Sequence, residues 1–99
     1  LNATPIFVTQ RTQFWKKING EILLANNVIY NNKDHYNYEK FIAKTIINFC
    51  QENDLVCIDI FNNIKFDEED HFELAHTTAK GSKKIADHIF KKLIQNFKF

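Results

Sequence analysis

Apolar positions along the chain follow two patterns, short continuous runs and longer stretches with helical spacing. Residues 5–10 and 55–60 are apolar nearly throughout and rich in β-branched side chains, which is typical of strands covered on both faces. Residues 38–53 and 78–97 carry apolar side chains every three or four positions, with lysines and other polar residues between them. These two stretches are predicted to form amphipathic helices that face a core.

The order of these elements is strand, long connection, helix, strand, loop, helix. Strands joined through crossover helices predict a parallel α/β sheet with helices on both faces. Because two parallel strands cannot form a stable sheet alone, we expect residues 1–99 to be the end of a larger α/β domain. The connection, residues 11–37, is predicted to pack over a surface, with a turn at Gly20 and a partly buried segment at 22–25.

Composition narrows the class of protein. The chain is 44% hydrophobic and 25% charged, with two Gly and one Pro, which excludes collagen-like, disordered and low-complexity chains. A net charge of +1 gives no indication of nucleic-acid binding, and no apolar run reaches the roughly 18 residues of a membrane span. Cys50 and Cys57 are predicted to be buried free thiols.

Candidate chemistry is concentrated after the second predicted strand, because functional residues of open α/β sheets gather at the carboxyl ends of strands. Gln10 is expected at the same edge, and Thr77 or Thr78 is expected to cap the last helix. Gly81 would let that helix approach another backbone closely, so that the preceding His76 is held rigidly. The cluster itself comprises Asp67, Glu68, Glu69, Asp70, His71, Glu73 and His76.

Residues 72–86, Phe-Glu-Leu-Ala-His-Thr-Thr-Ala-Lys-Gly-Ser-Lys-Lys-Ile-Ala, resemble the last conserved block of the SGNH/GDSL esterase–lipase family. Members end with an Asp-x-x-His loop, then Thr, Gly and a helix containing Ile-Ala. The two strands and the helix between them are similar to the elements that precede this block. The resemblance implies the C-terminal portion of a flavodoxin-like three-layer α/β/α sandwich, with residues 1–99 forming part of one domain whose N-terminal part lies elsewhere.

The same resemblance implies a serine ester hydrolase that uses no metal or organic cofactor. His76 matches the general base and Glu73 the acid that orients it, with Asp70 as the alternative acid because the family usually has Asp at this point. The substrate would be an acyl or acetyl ester of a lipid or a carbohydrate. Ser82, the only serine, matches a helix residue of the block, so the nucleophile is missing and we expect these 99 residues alone to be inactive.

Other interpretations remain open at this point. The chain can be a non-catalytic α/β module that associates through an exposed sheet edge. The acidic run can be a solvated loop or, with His71 and His76, a metal site. Aromatic side chains in and after the long connection can line a substrate cleft or anchor that segment on the core; these are Phe14, Trp15, Tyr30, Tyr36 and Tyr38.

Overall fold

The computed structural model describes residues 3–24, 34–71 and 76–97. Within these ranges the chain forms a mixed α/β domain with a short parallel sheet, as predicted. In chain order the elements are β1 Ile6–Thr9, β2 Trp15–Ile18, β3 Glu21–Leu24, α1 Asp34–Glu52, β4 Val56–Asp59, α2 Ile60–Asn63 and α3 Ala79–Asn96, with a 3-10 turn Glu68–Asp70 before α3.

The parallel sheet pairs β1 with β4. Ile6 lies opposite Val56, and Thr9 lies opposite Asp59, so both strands end at the same edge. Helix α1 connects them as a crossover and packs on both strands; the rings of Phe7 and Phe49 meet edge to face at 5.5 Å. The strand and helix pattern read from hydrophobic periodicity is therefore confirmed for these elements.

The first part of the long connection is a β-hairpin, where the prediction was only a turn and a partly buried segment. Strands β2 and β3 are antiparallel, with Ile18 opposite Glu21. The two residues between the strands, Asn19 and Gly20, have φ angles of 50° and 81°. Two successive positive φ values match the two-residue turn that joins twisted strands, for which Asn-Gly is the preferred pair.

The hairpin is held on the domain by aromatic packing. Trp15 is 3% exposed and forms a core cluster with Ala43 of α1 and Phe61 of α2. Its ring lies 4.7 Å from that of Tyr36 and 5.5 Å from that of Phe61. Trp15 and Tyr36 thus anchor the connection on the core, as the second of the two aromatic interpretations predicts. Tyr38 is 68% exposed, and Tyr30 lies outside the described residues.

The prediction of free thiols is wrong, because Cys50 and Cys57 form a disulfide. Cys50 lies in the last turn of α1, and Cys57 lies in β4. The chain reverses between them through Asp54, whose φ is 54°, and this turn brings the two Cα atoms to 6.0 Å. That separation is in the normal range for a disulfide. In the described ranges, no helix has the length and apolar character needed to cross a membrane.

Candidate functional site

A cleft of about 300 Å³ opens at the edge where β1 and β4 end. Three parts of the chain meet there: the end of β1, the start of α2, and the segment that leads into α3. Its lining is formed by Val8, Thr9, Gln10, Arg11, Ile60, His76, Thr77 and Ile85. The cleft is therefore at the carboxyl ends of parallel strands, the place predicted for functional residues in this class of sheet.

Hydrogen bonds between the two strand ends fix this wall of the cleft. The Thr9 hydroxyl donates to Asp59 Oδ1 at 2.7 Å and accepts from the Phe61 backbone N–H at 2.9 Å. The same carboxylate caps α2 by accepting from the Asn62 backbone N–H at 3.1 Å. Thr9 is 1% exposed, so the bonds around it are shielded from water. The ends of β1 and β4 and the start of α2 are therefore hydrogen-bonded to one another beside the cleft.

His76 also lines the cleft, and it lies in the segment that leads into α3. The Thr78 hydroxyl caps α3 by accepting from the Gly81 N–H at 3.2 Å, and it donates to the Glu69 carbonyl at 2.7 Å. The Thr78 N–H donates to the Asp70 carbonyl at 2.8 Å. This confirms the predicted cap, and the backbone that follows His76 is thereby tied at several points.

Gly81 lets α3 approach the 3-10 turn more closely than any other residue would. A Cβ atom at this position would lie 2.0 Å from the Asp70 carbonyl oxygen, a distance that real Cβ atoms do not show. The predicted close approach is confirmed, and the partner backbone is that of Asp70. One contact thus determines where α3 starts relative to the acidic turn, and with it where His76 is held.

The two candidate acids have different outcomes. Glu73 lies outside the described residues, so its pairing with His76 stays a prediction. Asp70 is fully buried, and its Oδ2 accepts from Lys84 Nζ at 2.5 Å and from the Asp67 N–H at 2.7 Å. This oxygen therefore ties the acidic turn to α3.

The acidic turn is organised by lysines of α3. The carboxylate of Asp67 accepts from Lys80 at 3.0 Å and from the Glu69 N–H at 2.9 Å. The bond from Lys80 lowers the pKa of Asp67, and the same bond raises the pKa of Lys80. Among residues 3–24, 34–71 and 76–97, no group of three or more His, Cys, Asp or Glu side chains could hold a metal ion.

His71 and Arg11 are two buried or half-buried basic residues. The sequence offered His71 only as a ligand of the possible metal site and did not single out Arg11. His71 is 6% exposed, its ring meets Phe66 edge to face at 5.2 Å, and neither ring nitrogen has a hydrogen-bond partner in the described structure. Burial, reinforced by the Arg11 charge, lowers its pKa. The Arg11 guanidinium lies 3.9 Å from the centre of the Trp15 ring. Arg11 follows the end of β1 by two residues, but its neighbours in the sequence do not show that a cleft lies there.

Comparison with known proteins adds no relative: no protein family, curated protein or solved structure was found to match this chain.

Proposed function

We propose that this chain supplies the histidine base of a serine ester hydrolase of the SGNH type. The observation that carries the proposal is the position of His76, which lines the cleft where the two parallel strands end. A histidine held before a capped helix at this edge is suited to proton transfer with a substrate in the cleft. The resemblance of residues 72–86 supplies the reaction class.

Side-chain alternation along β1 supports the three-layer α/β/α sandwich implied by the resemblance. Phe7 packs against Phe49 of α1, whereas its neighbour Val8 shares the cleft with Ile85 of α3. Successive strand residues point to opposite faces of a sheet. This alternation favours α1 on one face and α3 on the other, which is the arrangement of a three-layer α/β/α sandwich.

In the proposed reaction, His76 removes the proton of a serine hydroxyl as its oxygen bonds to the acyl carbon. The imidazolium then returns that proton to the leaving alcohol as the ester bond breaks, and an acidic side chain, Glu73 or Asp70, stabilises the charged ring. Water, deprotonated by the same imidazole, then attacks the acyl-serine, which releases the carboxylic acid and restores the serine hydroxyl. Ser82 is not the proposed nucleophile, because it lies in the first turns of α3 with its hydroxyl 2.7 Å from that of Thr77. The proposal therefore requires a serine from outside these 99 residues.

The test compares the 99-residue chain with the longer protein that this proposal requires, called the complete protein below, using 4-nitrophenyl acetate as substrate. We expect hydrolysis by the complete protein, none by the chain alone, and a loss in kcat of about 10³-fold or more in His76→Gln. His88→Gln is the matched control, since His88 lies in α3 and does not line the cleft. Full activity of His76→Gln would refute the assignment of the base. Glu73→Gln then tests the first candidate acid. Asp70→Asn tests the second only when its unfolding curve is measured alongside, because Asp70 also ties the acidic turn to α3.

A second candidate function, a non-catalytic interaction module, is favoured by apolar side chains left open to solvent on α1. Phe41 is 69% exposed, Ile42 55% and Phe49 46%, and exposed apolar patches often mark contact surfaces. If this function is correct, Phe41→Glu weakens concentration-dependent association measured by sedimentation, whereas Lys44→Glu on the same helix does not. Equal sedimentation of both variants and wild type would argue against it.

A further inference from the structure

Arg11 has a position in the cleft that the hydrolase assignment does not use. It follows the end of β1 by two residues and lines the cleft together with His76. Its guanidinium is stacked against the Trp15 ring at 3.9 Å. Stacking on an aromatic ring holds the planar group in one orientation.

The hydrogen-bonding capacity of this guanidinium is largely unused. Its Nη2 donates to the Trp15 carbonyl at 3.2 Å, and its buried Nε has no partner in the described structure. A guanidinium has five N–H donors and stays charged in proteins. A residue that lines the cleft therefore carries a cation with unused donors.

The carboxylates whose charges act on Arg11 accept hydrogen bonds from other donors through at least one oxygen each. Glu39 accepts from the Thr12 N–H at 2.7 Å through one oxygen and from the Trp15 indole through the other. Asp70 Oδ2 accepts from Lys84, whereas its buried Oδ1 has no partner in the described structure. Within the described ranges neither carboxylate forms an ion pair with Arg11, and no acidic side chain lines the cleft. Burial lowers the Arg11 pKa, an effect that Glu39 and Asp70 oppose.

We propose that Arg11 is a substrate-recognition residue that binds an oxyanion, a carboxylate or a phosphate, carried by the ester whose bond lies beside His76. A stacked guanidinium presents paired donors that match the two oxygens of such a group. The inference deepens the proposed function and rests on it for the reaction, because it names the substrate class as anionic esters. The binding of the anion itself depends on Arg11 and the cleft alone.

The test uses the complete protein and two esters of the same length, 4-nitrophenyl hydrogen adipate and its neutral methyl ester. We expect wild type to have a kcat/KM about tenfold higher for the anionic ester. This preference is expected to disappear in Arg11→Gln, to persist in part in Arg11→Lys, and to remain unchanged in Lys17→Gln, an exposed cation of β2 that is absent from the cleft lining. An unchanged preference in Arg11→Gln would overturn the proposal.

Two further measurements keep the outcome clear if Arg11→Gln does not fold. The wild-type preference should fall as ionic strength rises from about 20 mM to about 500 mM, because salt screens the attraction; no preference at either salt concentration would overturn the proposal. If wild type hydrolyses neither ester, the proposed function fails. Titration calorimetry then tests separately whether the cleft binds an oxyanion. Binding of adipate or inorganic phosphate to wild type, weakened in Arg11→Lys, would support it and identify the oxyanion, whereas no binding would refute it.

Discussion

Replacing Gly81 by Ala tests the close contact that holds the start of α3 against the acidic turn. The added Cβ would lie 2.0 Å from the Asp70 carbonyl oxygen and 2.9 Å from the carbonyl carbon. Real Cβ contacts are essentially never under 3.0 Å, so the two backbones must separate by about 1 Å. The atoms in the way belong to the backbone, and therefore no side-chain rotation relieves the overlap.

The separation would weaken two hydrogen bonds to Asp70. One is from the Thr78 N–H to the Asp70 carbonyl at 2.8 Å, and the other is from Lys84 to the Asp70 carboxylate at 2.5 Å. Each hydrogen bond contributes about 1 kcal/mol, and steric overlap adds about 2 kcal/mol. Alanine favours a helix over glycine by about 1 kcal/mol, which offsets part of this loss. We expect the free energy of unfolding to fall by about 3 kcal/mol.

Urea-induced unfolding followed by far-ultraviolet circular dichroism measures this loss. Gly20→Ala is the matched control, because Gly20 has a φ of 81° and nothing within 4 Å of an added Cβ. Its cost is the backbone strain alone, about 1 kcal/mol. If Gly81→Ala proves as stable as wild type, or more stable by the gain in helix propensity, the close approach does not exist and the explanation of how His76 is held is wrong.

Three further predictions concern stability. Lys84→Met removes the cation that pairs with the fully buried Asp70, and in urea unfolding it should lower the free energy of unfolding by about 2–3 kcal/mol. Lys83→Met is the control: it breaks an exposed pair of the same helix and should change the free energy of unfolding by less than about 0.5 kcal/mol. Reducing the disulfide with dithiothreitol should cost about 2.5 kcal/mol for a closed loop this short, and an unchanged melting temperature would contradict its contribution. Because burial lowers the pKa of His71 in the folded state, the unfolded chain binds a proton at His71 more readily than the folded chain does. The stability that comes from the neutral His71 ring should therefore be fully present above the unfolded pKa near 6.5 and be lost as pH falls below it. His71→Phe should flatten this pH dependence of the free energy of unfolding.

The elements that the sequence predicts well are those whose signal repeats along the chain. Helix α3, Ala79–Asn96, presents an apolar position at each turn, and its N-cap at Thr78 is a local feature. Strand β4, Val56–Asp59, is a continuous apolar run. In each case several residues give the same information, so one ambiguous position does not change the conclusion.

Features that depend on a single pair of residues, or on contacts distant in sequence, were missed. The Asn19-Gly20 pair marks the hairpin, but the strands beside it, Trp15–Ile18 and Glu21–Leu24, show no clear alternation. The disulfide depends on a reversal at Asp54 that spacing does not reveal. The role of Arg11 depends on Trp15 and on the cleft, neither of which can be located from the residues next to it.

The motif that suggested a hydrolase is also a structural unit, and this affects how its residues should be tested. Thr78 caps α3, Gly81 admits the Asp70 backbone, and Asp70 binds Lys84. Residues that join two elements can be required for packing alone. The presence of this motif therefore does not by itself show whether its residues have a structural or a catalytic role. Replacing Gly81 or Thr78 should lower stability and activity together. Only a substitution such as His76→Gln, on the cleft wall, can lower activity while the unfolding curve stays in place.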